Sequence, residues 1–302
     1  MEIIDIIKER LSIFKNLYDS IRIVDPINKK VLSFQEDNAQ MEKESCHILL
    51  ERDEYCKNCI SMRAYVENDT FIKTEFVQGE ILIITATPVT VENSIYIIEM
   101  IKSVSQADII MINGEKTYNI ENLLKEMSDA AISDALTGMY NRRYINENLI
   151  VDINNSMKYN QPLCVVMADL DLFKNVNDTY GHIVGDWILK DFAKLLSNSV
   201  RSNLDWVGRY GGEEFIIVLR NIDANNAFNV IEKIRKLVEK KDFTYDEIKI
   251  KITASFGAYS IMDKYPIINK KFTIDEIINE ADKNLYLAKK SGRNKTVINL
   301  EK

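Results

Sequence analysis

The sequence predicts an α+β protein: an N-terminal sheet domain, a helical linker, and a C-terminal domain in the order β-α-β-β-α-β. Three observations carry this. The run Leu163-Cys164-Val165-Val166-Met167-Ala168 is almost continuously apolar, as a central strand covered on both faces should be. Around it, helix-like and strand-like runs alternate as far as Tyr259, the split arrangement in which a sheet carries helices on one face. Before residue 105, strand-like runs are separated by turns rich in Gly, Asn and Pro. The length of 302 residues suits two domains, and 46% hydrophobic with 28% charged residues can pack cores and excludes a disordered chain.

Partner classes are narrowed by charge and hydropathy. A net charge of −7 argues against wholesale binding to nucleic acid. The longest apolar runs, Ile81 to Val91 and Ile95 to Ile101, fall short of the ~18 residues a membrane helix needs. Met1 to Leu17 mixes acids and bases at helical spacing, unlike a signal peptide. The expectation is a cytoplasmic protein with neither nucleic-acid nor membrane partners.

In chain order, Ile3, Ile4, Ile7, Leu11 and Phe14 mark a short amphipathic helix. Two strands follow around Asp25-Pro26-Ile27-Asn28, namely 21–24 and 31–34. Residues 40 to 67 are polar and helical in parts. Strands are expected at 70–77, 80–91 and 94–104, punctuated by Gly79 and Asn93. This element order over residues 1 to 105 resembles a PAS-type sensor domain. Within the linker, 106–133, the residues Ile120, Leu123, Leu124, Met127, Ala130 and Ala131 lie on one helical face. That face suits either a stalk pairing with a second copy or a helix packed on its own domain. The C-terminal domain spans 134–302: helix 140–159, the strand from Leu163, helix 184–200, two strands flanking Gly211-Gly212, helix 224–239, strand 248–259 and helix 274–288.

Chemistry concentrates at Arg209-Tyr210-Gly211-Gly212-Glu213-Glu214-Phe215. Two glycines between β-type runs read as a tight hairpin turn that another molecule can approach closely. Two carboxylates at its tip repel unless a cation or solvent screens them. Asp169-Leu170-Asp171 closes the buried strand, and alternation puts both aspartates on one face. Asp169 could converge with Glu213 on a hard-oxygen site for Mg²⁺ or Mn²⁺, or could cap the next helical turn. Lys174, Lys289 and Arg293 supply positive charge; the last two flank Lys290-Ser291-Gly292, where they suit either a phosphate clamp or a basic helix C-terminus. Acids that hold a cation together with bases that hold phosphates are the working parts of nucleotidyl transfer.

Five separated stretches over residues 129 to 298 resemble the GGDEF domain of diguanylate cyclases. They are 134–143, beginning Asp134-Ala-Leu-Thr-Gly; 169–178, Asp169-Leu-Asp-Leu-Phe-Lys-Asn-Val-Asn-Asp; 180–186, Tyr180-Gly-His-Ile-Val-Gly-Asp; 209–215; and 281–294, ending Lys290-Ser-Gly-Arg-Asn. The resemblance implies a palm-like domain that condenses two GTP into cyclic di-GMP, releasing two pyrophosphates, with each subunit of a homodimer presenting one GTP. It implies two Mg²⁺ or Mn²⁺ per active site, held by Asp169, the Leu170 carbonyl and Glu213. Glu214 or Glu213 would help deprotonate the attacking 3′-hydroxyl. Asn177 and Asp186 would read the guanine edge, with His182 beside the base. Lys174, Lys289, Arg293 and backbone N–H groups near Leu172 and Phe173 would bind phosphates. One departure concerns product inhibition. The family's Arg-x-x-Asp keeps its acid as Asp205, but Ser202 stands at the arginine position and Arg201 is one residue early.

The cysteines divide. Cys164 sits inside the apolar strand and reads as core. Cys46-His47 and Cys56-Lys57-Asn58-Cys59 carry three thiols and an imidazole, a candidate site for Zn²⁺ or another transition metal. The same residues also suit a dithiol switch at Cys56 and Cys59, or inert buried thiols. Two further readings of the whole chain stand beside the enzyme: a degenerate nucleotide-binding regulator, and a metal or redox sensor without significant turnover.

Overall fold

The computed structural model describes Leu11 and residues 17–35, 45–46, 55–77, 79–91, 94–104, 120–261 and 273–298. The predicted N-terminal helix, apart from Leu11, and His47 lie outside the described residues. The chain forms two compact units, Met1–Ala131 and Ile132–Lys302. Among the described residues, no helix is long and apolar enough to cross a membrane.

The first unit is a five-stranded antiparallel sheet in the order β2-β1-β5-β4-β3. Its strands are β1 (Ser20–Asp25), β2 (Lys30–Gln35), β3 (Phe71–Val77), β4 (Glu80–Val91) and β5 (Ser94–Val104). Helix α1 (Ile60–Glu67) lies between β2 and β3 in the chain. Strand alternation splits the sheet into two faces. Ile84, Ala86, Ile97 and Ile101 pack with Ile60 and Ala64 of α1. Ile21, Ile23 and Ile98 pack on the opposite face with Leu11 and Tyr18. The sheet is that predicted; a PAS-type identity is a narrower claim. Helix α2 (Ile120–Ile132) follows, with Leu123 and Met127 exposed.

The second unit is a five-stranded sheet in the order β12-β11-β6-β8-β7. Its elements are α3 (Arg142–Tyr159), β6 (Leu163–Leu170), α4 (Phe173–Tyr180), α5 (His182–Asn198), β7 (Trp206–Gly211), β8 (Glu214–Arg220), α6 (Ala224–Lys240), β9 (Phe243–Tyr245), β10 (Ile248–Ile250), β11 (Ala254–Ile261), α7 (Ile274–Lys290) and β12 (Thr296–Ile298). Strand β6 lies between β11 and β8, antiparallel to both, and all eight of its residues are buried. The split β-α-β-β-α-β core is therefore present.

Two expectations need correction. Helices cover both faces of this sheet, not one. Cys164, Val166, Ala168 and Leu170 pack with Phe215, Ile217 and the α5–α6 layer. Val165 and Met167 pack with Ile216, Val218 and the residues Ile145, Leu149, Ile278 and Leu285 of α3 and α7. The expected single strand 248–259 is instead a separate β9–β10 hairpin followed by β11. Of the two hairpin strands, β7 is an edge strand and only β8 is interior.

Candidate active site

The site grows from the C-terminal end of β6. Odd-numbered residues of this strand point toward α7, so Asp169 emerges on that side. On β8, Glu214 stands directly opposite Asp169. The β7–β8 connection is the two-residue turn Gly212-Glu213, Gly211 being the last residue of β7. Gly212 has φ +52, the left-handed region where a side chain is strained. A Cβ at Gly211 or Gly212 would meet nothing within 4 Å, so neither glycine is there to pack the chain against itself. The space beside the turn is open.

Asp169 is 5% exposed, and Lys289 Nζ of α7 lies 2.8 Å from its Oδ2. Burial pushes the Asp169 carboxyl up to about 6; Lys289 opposes this, while the charges of Glu213 and Glu214 add to it. Glu214 is also raised, first by burial, with Asp282 and Glu213 reinforcing and Lys289 and Arg142 opposing. Three carboxylates are thus gathered with less positive charge than they can use.

That imbalance is the test of fit for a divalent cation. Two carboxylates and the Leu170 carbonyl are hard oxygen donors, and a divalent ion would offset both the burial that chiefly raises Asp169 and the smaller repulsion from Glu213 and Glu214. Among the described residues no three His, Cys, Asp or Glu side chains converge on one metal position. Mg²⁺ is ordinarily held by one or two carboxylates plus water and substrate phosphate, so a full protein cage is not required. The donor set fits.

The remaining candidates fall into two groups. Lys174 and Asn177 lie on α4, whose first residue, Phe173, follows Leu172 at φ +58. His182 and Asp186 lie on α5, both exposed. Arg293 lies on the exposed turn after α7, with φ +61. Among the described residues, the side chains of Lys174, His182, Asp186 and Arg293 make no hydrogen bond or ion pair, which leaves them available to a ligand. Asp169 does not cap α4; Leu172 occupies that position without a side-chain cap.

Several residues that sequence reasoning passed over hold this arrangement. Asp171 is 7% exposed and accepts hydrogen bonds from Ser255 Oγ (2.6 Å), Thr253 Oγ1 (2.6 Å) and the Asn294 backbone N–H (2.9 Å). It ties the end of β6 to the turn bearing Arg293. Arg209 joins the turn to the first motif: its Nε donates to the Gly212 carbonyl (2.9 Å) and its Nη1 to Asp134 Oδ1 (3.0 Å). Burial raises the Asp134 carboxyl, but hydrogen bonds from Thr137 and Arg209 outweigh it and hold the pKa below the usual value. Gly185 faces Asn177 so closely that a Cβ there would stand 1.9 Å from Asn177 Oδ1. A motif rich in Asp, Arg and Gly signals such roles only once the partners are known.

The expected metal centre finds no support among the described residues, which do not include His47. Cys46, Cys56 and Cys59 form no disulfide and line one cavity, but no three candidate ligands converge there among the described residues. Burial, with nearby Glu99 and Cys56, pushes Cys46 up to about 11 and Cys59 up to about 12.

Comparison with known proteins agrees with the C-terminal geometry. The family model "Diguanylate cyclase, GGDEF domain" matches residues 131–295. Diguanylate cyclase A of Treponema denticola is 38% identical over 176 residues, covering 57% of this chain and 46% of that protein. The probable diguanylate cyclase DgcT of Escherichia coli is 36% identical over 205 residues, covering 67% and 43%. The chain thus spans less than half the length of these curated relatives. Among solved structures, diguanylate cyclase SiaD of Pseudomonas aeruginosa, in complex with its activator SiaC, matches with TM-score 0.53 and 34% identity, covering 59% of this chain and 66% of that one. The GGDEF domain of DgcB from Caulobacter crescentus, in complex with c-di-GMP, matches with TM-score 0.50 and 26% identity, covering 56% and 93%. With more than half of its length matched and the acidic turn set against Asp169, the chain belongs to the GGDEF diguanylate cyclase family.

Proposed function

We propose that this chain condenses two GTP into cyclic di-GMP and two pyrophosphates, acting as a pair of chains that each present one GTP. The observation carrying the proposal is the cluster of Asp169, Glu213 and Glu214 at one sheet end, with Lys289 against Asp169. Asp169, the Leu170 carbonyl and Glu213 would hold Mg²⁺ or Mn²⁺, which when bound supplies activation of the 3′-hydroxyl and charge neutralisation at the leaving pyrophosphate. Glu214, raised by burial, is positioned as a proton acceptor. Lys289, Arg293 and Lys174 bind phosphates, with the N–H groups at the start of α4. Asn177 and Asp186 take the guanine edge with His182 beside it, a carboxylate being suited to accept from N1–H and the amino group. Positioning and charge stabilisation account for this chemistry without a covalent intermediate.

The reading continues through the first unit. Residues 1–105 act as a PAS-like sensor, supported by the sheet order β2-β1-β5-β4-β3 and the helix on one face. The exposed Leu123 and Met127 support 106–133 as a stalk that pairs with a second copy. Incubation with GTP and Mg²⁺ or Mn²⁺, followed by nucleotide chromatography, tests the activity. No cyclic di-GMP from the wild type, or equal amounts from Glu213→Ala, refutes it.

Two further outcomes follow from the geometry. Gly185→Ala leaves the fold intact, because the atom in its way is the end of a side chain, but it displaces Asn177. The expected result is a rise of about tenfold in KM for GTP, with a much smaller change in kcat. An unchanged KM would remove Asn177 from guanine recognition. Product inhibition should be weak or absent. Asp205 is 7% exposed and already engaged by Arg201 through Nε (2.8 Å) and Nη2 (2.7 Å), and by the Arg220 backbone N–H (3.0 Å). Initial rates should not change on adding micromolar cyclic di-GMP; strong noncompetitive inhibition is the contrary result.

A further inference from the structure

The charged residues of the active site follow the order of the strands along one end of the second sheet. Arg293 lies in the turn between α7 and β12, and that turn is tied to the end of β6 by the Asn294 N–H and Asp171. Lys289 reaches Asp169 on β6. Glu214 comes next, on β8 and opposite Asp169. Beyond it, at the outer strand β7, stands a cation to which the reaction has so far given no part, Arg142 over Tyr210.

Nothing in the fold explains a cation at this position. Arg142 is the first residue of α3, where the helix dipole disfavours positive charge, and the first turn carries no acid to offset it. Its neighbour Arg143 pairs with Glu147 at 3.5 Å. Arg142 itself is exposed and pairs with no carboxylate among the described residues. Its guanidinium lies over the Tyr210 ring, 4.4 Å from the centre, and Nη2 donates to Tyr210 Oη at 3.3 Å. Tyr210 is half-buried against the core layer formed by α3 and α7, immediately before Gly211-Gly212. The ring is therefore a fixed platform that holds the guanidinium beside the acidic turn without neutralising it. The charge is close enough to favour the ionised form of Glu214.

In the condensation, the 3′-oxygen of one GTP bonds to the α-phosphorus of the other, and the bond from that phosphorus to the pyrophosphate oxygen breaks. The hydroxyl proton passes to Glu214. The same step with the roles exchanged closes the ring and releases the second pyrophosphate. In-line displacement puts the attacking oxygen opposite the leaving group. With pyrophosphate held on the Lys289 and Arg293 side, the second nucleotide arrives from the β7 side. Its triphosphate is repelled by Asp169, Glu213 and Glu214, and a cation on that approach offsets the repulsion. We propose that Arg142 binds a phosphate of the GTP presented by the second chain and steers its 3′-hydroxyl toward Glu214. A guanidinium fork is well matched to phosphate oxygens. The assignment rests on the cyclase reading and adds to it a residue that acts across the pair of chains.

Two measurements on the full chain separate the two nucleotides. Calorimetric titration with 3′-deoxy-GTP and Mg²⁺, a pair that cannot react, reports the nucleotide each chain holds for itself. Initial rates of cyclic di-GMP formation report the meeting of two. Arg142→Ala should bind 3′-deoxy-GTP within about threefold of wild type while its kcat falls about a hundredfold. Arg142→Lys, which keeps the charge, should retain about a tenth of the wild-type kcat or more, and Tyr210→Leu, which removes the platform, should lose about tenfold. A kcat for Arg142→Ala within about threefold of wild type overturns the assignment. So does a loss of 3′-deoxy-GTP binding as large as the loss of rate, which would put Arg142 at the chain's own nucleotide. A wild type that makes no cyclic di-GMP refutes the cyclase reading and this assignment with it, whereas an active wild type beside an equally active Arg142→Ala refutes the assignment alone.

Discussion

Replacing Asp169 with Asn should lower cyclic di-GMP formation by about a thousandfold or more while leaving the protein at least as stable. The activity is lost because Asn offers a neutral oxygen where the cation needs a charged one. Stability goes the other way. The carboxyl is moved from 3.8 to about 6, chiefly by burial. Between about pH 4 and pH 6 the folded chain keeps a proton that the unfolded chain has released. Stability therefore falls as pH rises through that window, by about 3 kcal/mol in all. Asn cannot ionise, so Asp169→Asn escapes this loss, and Lys289, 31% exposed, can turn its ammonium to water. Melting curves in metal-free buffer at pH 4 and pH 7 should show wild type losing stability relative to the variant. Retention of more than about one tenth of the activity would remove Asp169 from the catalytic centre.

This opposition of function and stability marks what could be read in advance. Gly211-Gly212-Glu213-Glu214 and Asp169 were legible because hairpin glycines and strand-end acids are local signals. The central strand was legible too, but a run apolar at every position carries no information about which residues face which layer. That is why helices on both faces were missed. Helix α4 was missed because only Phe173 and Val176 of its eight residues are buried, too few to show a period. The 248–259 region looked like one strand because its apolar residues alternate from β10 through the connection into β11. The roles of Asp171 and Arg209 depend on partners far away in sequence: Asn294 lies 123 residues from Asp171, and Asp134 lies 75 from Arg209. The cysteine spacing suggested a metal site that no cluster among the described residues supports, and burial raises the Cys46 and Cys59 thiols.

Asp171 separates positioning from general packing. In Asp171→Ala the Ser255 and Thr253 hydroxyls can turn to other acceptors, but the Asn294 N–H is fixed and loses its partner. The cost should be about 2–4 kcal/mol of stability, from three lost hydrogen bonds to a buried carboxylate. Asn294 adjoins Arg293, and its side chain is held by Arg235 (2.7 Å) and Glu239 (2.7 Å). The turn is thus anchored on two sides, and losing one lets Arg293 drift without unfolding α6 or α7. GTP affinity should then fall about tenfold to a hundredfold, whereas guanosine, which has no phosphates for Arg293 to hold, should bind as it does to wild type. Asp171→Asn, which keeps one accepting oxygen, should lie between the two and guards against a variant too unstable to measure. Calorimetric titration of both ligands into all three proteins makes the comparison. An equal loss for GTP and guanosine would show that Asp171 only supports the fold; unchanged GTP binding would show that Arg293 does not depend on it.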